Sequence, residues 1–272
     1  MNYKNNMFDK DSYDTPPETK RSLMNRLLLG NRFYFYFNNF YIFFKTGMCA
    51  KRGELNAENQ IFYSNQNLRL VENCGGKVHL KGLDNLTKLD GKPVILLGNH
   101  MSLLETALFH SIIRPRIDFT FVIKKALFKV PYFGDIMLAL QAIPVTRKDP
   151  RSDLKMLLRE GKYLVKNGKS IIMFPQGTRS EAFSPQKFSS IGIKLARTAK
   201  VDVVPFALKT DFLNNGKMFR DLGPVCPQNH VYFEFGEPIK LEGNGKEANQ
   251  QVIDFIASRL EKWNLEQEKR NA

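Results

Sequence analysis

The chain has 272 residues, 43% of them apolar, enough for one large α/β domain with extensions and too short for two equal ones. Forty-one Lys and Arg against 27 Asp and Glu give a formal charge of +14, so the partners it favours are anionic: nucleic acid, an acidic membrane face, a phosphorylated metabolite or an acidic carrier protein. Cys49, Cys74 and Cys226 stand far apart with no C-x-x-C spacing, which argues against a zinc site or a disulfide framework and fits a reducing compartment.

Residues 1–22 are polar, mix both charges and carry Pro16-Pro17, and they read as a disordered lead; with no apolar run after a short basic start, they do not form a signal peptide. Residues 23–50 read as two short helices joined at Gly30-Asn31. The second, FYFYFNNFYIFFKTGM, is interrupted by Asn38-Asn39, and its unbroken apolar length falls below the ~20 residues of a membrane-spanning helix. Aromatic rings flanked by Arg32 and Lys45 suit the headgroup boundary, so the pair is expected to lie in the membrane interface; the alternative is a helix hairpin packed on the domain. Residues 51–66 read as a polar linker, and residues 67–268 as the main domain.

That domain opens with a hairpin-like alternation over Asn67–Glu72 and Lys77–Lys81 around Cys74-Gly75-Gly76. Strands are then expected over Val94–Gly98, Phe119–Ile123, Ala142–Val145, Ser170–Phe174, Val201–Ala207 and Val231–Phe235. Helical periodicity covers Leu104–Ile113, Arg151–Lys166 and Phe188–Ala199, with a final helix over Glu247–Trp263. The alternation predicts an α/β fold, a mostly parallel central sheet flanked by helices, with ligands bound beyond the carboxyl ends of the strands.

The strand ends carry the chemistry. His100 follows the run Val94–Asn99, and Glu105 comes five residues later. On one regular helix five steps would part them by about 140°, so they converge only if His100 lies in the turn and Glu105 in the first turns of the helix. An imidazole held by a carboxylate on one nitrogen is a general base at the other. Ser102 lacks the G-x-S-x-G elbow of a nucleophile and reads as a helix cap. A second strand closes on Phe174-Pro175-Gln176-Gly177-Thr178-Arg179-Ser180, where glycine permits close ligand approach and hydroxyl and guanidinium donors suit a phosphate or carboxylate. Arg147 ends a third strand and Lys124-Lys125 a fourth, where successive residues point oppositely and only one lysine can face the site.

Together these segments resemble the glycerophospholipid acyltransferase family, the 1-acylglycerol-3-phosphate (lysophosphatidic acid) acyltransferases and their relatives. Asn99, His100 and Glu105 match its first motif, Ile143–Arg147 its second, Phe174–Ser180 its third and Val204-Pro205 its fourth; residues 23–49 are similar to the two-helix membrane motif of bacterial members. Two residues depart: Glu105 stands where the family has aspartate, and Gln176 where it has glutamate, a change expected to leave Arg179 less neutralised.

The resemblance implies that His100, oriented by Glu105, deprotonates a lysophospholipid hydroxyl, which attacks the thioester of acyl-CoA or acyl carrier protein. It also implies that Arg147, Arg179 and Lys124 hold the acceptor phosphate, with Gln176, Gly177, Thr178 and Ser180 lining the site and N–H groups near Gly177 or Thr178 meeting the oxyanion. Asn99, Pro175, Val204 and Pro205 are implied as structural motif residues. No metal or cofactor is called for beyond the thioester co-substrate, and no nucleic-acid motif accompanies the charge. The eight Lys and Arg within residues 147–169, and five within 114–129, would draw anionic lipids and donor to the site. The location implied is peripheral or monotopic, on the cytoplasmic face of the inner (cytoplasmic) membrane. Two alternatives stay open: another acceptor, such as lysophosphatidylethanolamine or a lyso-ornithine lipid, and a non-catalytic lipid-binding protein on the same fold.

Overall fold

The structure, a computed structural model, describes residues 3–30, 32–216 and 219–271. The strands are β1 (Tyr13–Asp14), β2 (Val78–Lys81), β3 (Ile95–Gly98), β4 (Phe119–Lys124), β5 (Ile143–Val145), β6 (Ser170–Met173), β7 (Val203–Lys209) and β8 (Val231–Phe235). The helices are α1 (Leu23–Leu27), α2 (Arg32–Lys51), α3 (Ala57–Asn73), α4 (Asp84–Thr87), α5 (Leu104–Ile112), α6 (Phe133–Ala139), α7 (Pro150–Lys166), α8 (Ile191–Ala199) and α9 (Lys246–Asn271).

The strands form one sheet in the order β1-β2-β8-β7-β3-β6-β4-β5. Five of them, β7-β3-β6-β4-β5, run parallel; β8 opposes β7, β2 runs with β8, and β1 closes the edge antiparallel to β2. Alternate residues of each central strand feed opposite faces. Leu96, Val204 and Phe206 join the apolar cluster under α2, α3, α5 and α6, while Ile95, Leu97, Val203 and Ala207 join the one under α7, α8 and α9. The mostly parallel sheet flanked by helices is thus the fold expected, and all six strands anticipated from Val94 onward are present to within two residues at each end.

Three expectations in the amino-terminal third need correction. The polar lead is packed against the domain, not disordered: Tyr13 and Asp14 pair with Leu80 and His79, Phe8 is buried, and Tyr13 Oη and Thr15 Oγ1 donate to Glu72 Oε1 at 2.6 and 2.8 Å. Its polarity misleads because its partners are distant in sequence. The linker at 51–66 and the strand at Asn67–Glu72 are largely one helix, α3, started by Asn56, whose side chain accepts from Asn59 N. Its polar residues are buried with partners, Ser64 Oγ on Ala107 O at 2.7 Å and Asn65 Nδ2 on Asn5 O at 2.7 Å, so a buried helix reads as a linker. Asn38 and Asn39 interrupt the apolar run of α2 without breaking the helix: Asn38 Nδ2 donates back to Tyr34 O at 2.7 Å and Asn39 Nδ2 to Asn67 Oδ1 at 3.0 Å. Of the break proposed at Gly30-Asn31, Gly30 has a left-handed φ of 67° and Asn31 lies outside the described residues.

Candidate active site

The site is built where β3 leaves the sheet. At Gly98 a side chain would collide with the Phe206 ring of β7, so only glycine lets the two strands close here. Asn99 then extends the ladder with its side chain: Nδ2 donates to Leu208 O at 2.8 Å and Oδ1 accepts from Leu208 N at 2.9 Å. The chain is released one residue before His100, which therefore lies in the turn, and Glu105 is the second residue of α5.

His100 Nδ1 and Glu105 Oε1 are 2.8 Å apart. Glu105 has no exposed surface, while the His100 side chain is 20% exposed. Burial would push the Glu105 carboxyl up, but the hydrogen bond from His100, the imidazole's charge and the Met101 N–H outweigh it and hold the group below its ordinary range. An ionised carboxylate only accepts, so Nδ1 carries a proton, and in the neutral form of the ring Nε2, with no hydrogen bond to the described residues, is the nitrogen left with the lone pair. The ring is pinned flat on Phe174, centroids 4.1 Å apart and planes 16° from parallel. Ser102 Oγ is buried and engaged by Leu104 N, Glu105 Oε2 and Thr210 Oγ1, so it serves the start of α5 and is not presented as a nucleophile.

The turn after β6 is fastened to the same place, the backbone N–H of Ser180 donating to the carbonyl of His100 at 2.9 Å. Pro175 is buried beneath it, and Gly177 takes a left-handed φ of 74° with open space where a side chain would sit. Two expectations change here. Gly177 N–H is committed to Phe174 O at 2.9 Å and is not free for an oxyanion. Arg179 is neutralised in spite of Gln176, because Asp221 Oδ1 lies 2.6 Å from its Nη2; Arg220 in turn donates to the Arg179 carbonyl. Gln176 Oε1 is buried without a hydrogen-bond partner among the described residues.

Lys124 and Arg147 share the carboxyl edge of the sheet with the dyad but stand farther off. β3, β6, β4 and β5 are successive neighbours, which sets Arg147 about three strand spacings, ~14 Å, from His100. Both side chains are exposed; Arg147 has a φ of 61°, its N–H bound to Asp153 Oδ2 at 2.6 Å. Val204 and Pro205 lie inside β7, paired with Leu96 and Leu97, and support the sheet beneath the site without lining it. Thr210 and Asp221 belong to no motif, and no sequence signal marks them. Two cavities, of about 260 and 270 Å³, lie elsewhere, one beside His79, His230 and Trp263 and one beside Arg114, Asp118 and Lys169 at the opposite edge.

The site thus combines a mostly parallel α/β sheet with an imidazole held by a carboxylate at the carboxyl edge of that sheet, an arrangement suited to acid–base chemistry. Residues 77–209, which include all four motifs, match the acyltransferase family model. The 1-acyl-sn-glycerol-3-phosphate acyltransferase of Pseudomonas aeruginosa is 30% identical over 190 residues, 70% of this chain and 68% of that protein. The enzyme of the same name from Chlamydomonas reinhardtii is 36% identical over 133 residues, 48% of this chain and 38% of its own. The crystal structure of the 1-acyl-sn-glycerophosphate (LPA) acyltransferase from Thermotoga maritima superposes with a TM-score of 0.66 at 24% identity, covering 89% of this chain and 97% of that one, which shows the shared fold. The chain belongs to the glycerophospholipid acyltransferase family and is an O-acyltransferase.

Proposed function

We infer that the enzyme moves a fatty acyl group from acyl-CoA or acyl carrier protein to the free hydroxyl of 1-acylglycerol-3-phosphate, giving phosphatidic acid, with His100 as general base. The observation that carries this is the half-buried imidazole held at Nδ1 by a fully buried carboxylate, with Nε2 left open. Nε2 removes the hydroxyl proton as that oxygen attacks the thioester carbonyl; the C–S bond then breaks and the thiol leaves with the proton returned by the imidazolium. The acceptor oxygen is the nucleophile, so the protein needs none of its own. Arg179, beside the dyad, and Arg147 and Lys124, farther along the edge, would hold the phosphate, and the site turn Gln176–Ser180 would enclose the glycerol.

The exposed apolar residues of the amino-terminal segment support a monotopic membrane seat; the cytoplasmic face of the inner membrane is the side that the proposed thioester donor would require. Leu27, Leu29, Phe37 and Tyr41 are 68%, 94%, 76% and 56% exposed; Val130, just before α6, and Leu138, on it, are exposed as well, and α6 packs on α2. No helix among the described residues is long and apolar enough to cross a membrane. On the other face of the sheet, Arg151, Lys155, Arg159, Lys162 and Lys166 form an exposed cationic stripe on α7, suited to an anionic donor.

The test is acyl transfer by detergent-purified protein given labelled acyl-CoA or acyl carrier protein and a panel of lysophospholipids, including lysophosphatidylethanolamine and lyso-ornithine lipid. Transfer to 1-acylglycerol-3-phosphate above the other acceptors is expected. Transfer to another acceptor alone would move the assignment to that lipid, and lipid binding with no transfer to any of them would contradict catalysis.

A further inference from the structure

The Glu105 carboxylate is held at both ends. Oε1 accepts from His100 Nδ1, from Met101 N at 2.7 Å and from Ser102 N at 3.0 Å. Oε2 accepts from Thr210 Oγ1 at 2.8 Å, from Ser102 Oγ at 2.9 Å and from Ser102 N at 3.1 Å, and the two hydroxyl oxygens are themselves 2.9 Å apart. One lone pair of Ser102 Oγ is already occupied by Leu104 N at 3.1 Å. Thr210 follows the last residue of β7 and is fully buried.

The terminal torsion of a glutamate is broad and roughly two-fold, so an anchor on one oxygen leaves the carboxylate plane free to turn, whereas anchors on both fix it. Ser102 and Met101 belong to the same turn as His100 and move with it. Thr210 does not: it comes from the central strand whose register with β3 is locked by Gly98 opposite Phe206 and by the Asn99 bonds to Leu208. Among the described residues it is therefore the one bond to this carboxylate that refers its orientation to the sheet. Glutamate reaches about one C–C bond, ~1.5 Å, farther than aspartate, which extends it toward Thr210 while Oε1 stays on His100.

We propose that Thr210 is the positioning residue of the base, its hydroxyl fixing the Oε2 end of Glu105 so that Oε1 holds the His100 ring in its working orientation. The proposal rests on His100 acting as base. It makes the glutamate and the threonine a matched pair: with aspartate at 105, one of the two anchors is lost.

The test compares Thr210→Val, which keeps shape and removes the hydroxyl, with Thr210→Ser, which keeps the hydroxyl, in the full-length detergent-solubilised enzyme. Thr210→Val lowers kcat about tenfold, the size of one charge-assisted hydrogen bond felt in the transition state, with KM for both substrates within about twofold. Thr210→Ser restores most of the rate, and Thr210→Val adds less than about twofold to Glu105→Gln, since it acts through that carboxylate. A readout free of turnover is the Nδ1–H proton resonance of His100 in protein carrying labelled histidine, of which there are four, assigned by its loss in His100→Ala. It shifts in Thr210→Val and not in Thr210→Ser, and it can be read on the folded fraction if the valine variant is unstable. An unmoved resonance, or a Thr210→Val loss that multiplies in full onto Glu105→Gln, overturns the proposal. His100→Ala at wild-type rate overturns the base reading and this proposal with it. An inactive His100→Ala beside a fully active Thr210→Val removes the role of Thr210 alone.

Discussion

The backbone N–H of Ser180 donates to the carbonyl oxygen of His100 at 2.9 Å, joining the turn after β6 to the turn after β3. This bond ties the first and third motifs, which lie on neighbouring strands, into one rim. It uses the Ser180 main chain only, and the side chain is exposed.

A test of the rim follows from that division. Ser180→Ala should keep near-wild-type activity because the N–H remains, whereas Ser180→Pro removes the donor and should cost about tenfold or more in kcat/KM, corresponding to a lost hydrogen bond of ~1–2 kcal/mol. Steady-state kinetics on the two variants, with melting curves to verify folding, read the contrast; equal activity in both would show that the bond has no bearing on catalysis.

The Arg179–Asp221 pair predicts an effect on the acceptor. Asp221 is largely exposed, so the pair contributes ~0–1 kcal/mol to stability and Asp221→Asn should leave the melting temperature nearly unchanged. If Arg179 holds the acceptor phosphate, freeing it should lower KM for 1-acylglycerol-3-phosphate, and Arg179→Lys, which loses the planar fork, should raise KM with kcat less affected. A KM that responds to neither substitution would place the phosphate elsewhere.

Membrane seating is better tested by substitution than by deletion. Removing residues 1–50 would also strip Phe8, Phe35 and Tyr36 from the core and the Tyr36 Oη bond to Gly223 O at 2.8 Å. Combined Leu27→Ser, Phe37→Ser and Tyr41→Ser changes only exposed side chains, each worth little to stability. It should weaken sedimentation with anionic vesicles while activity on acceptor dispersed in detergent persists.

Stability should depend on His230 under acid conditions. Burial, reinforced by the charges of Arg270, His79 and Lys77, pushes its pKa down to about 4 from 6.5. A histidine held neutral stabilises the fold fully above the unfolded value of 6.5, and that contribution is lost as pH falls toward about 4, because the unfolded chain takes up the proton first. His79, whose Nε2 lies 2.8 Å from His230 Nδ1, and Asp14, which contacts His79, set the baseline, so the comparison is with His230→Asn. Urea midpoints should drop more for the wild type than for the variant between pH 7 and pH 4.5.

The sheet was legible because its strands are short apolar runs separated by helices with regular periodicity, and His100 with Glu105 because a turn and the next helix bring residues five apart together. Periodicity failed at α3, whose buried face carries Ser64, Asn65 and Asn67, and at the lead, whose one large buried side chain among the described residues is Phe8. Thr210 and Asp221 were invisible for another reason. Their roles arise from contacts of residues 105 and 42 positions apart, Thr210 with Glu105 and Asp221 with Arg179, which no local spacing encodes.

The central claim is that the His100–Glu105 pair supplies the base for acyl transfer. The most direct measurement is kcat for 1-acylglycerol-3-phosphate acylation by wild type, His100→Ala and Glu105→Gln, each with its melting temperature. Loss of the base should cost about 10²–10⁴-fold, and the amide at 105, which no longer fixes the tautomer, should cost nearly as much, with the fold retained. A folded His100→Ala enzyme that transfers acyl groups at the wild-type rate would contradict the account.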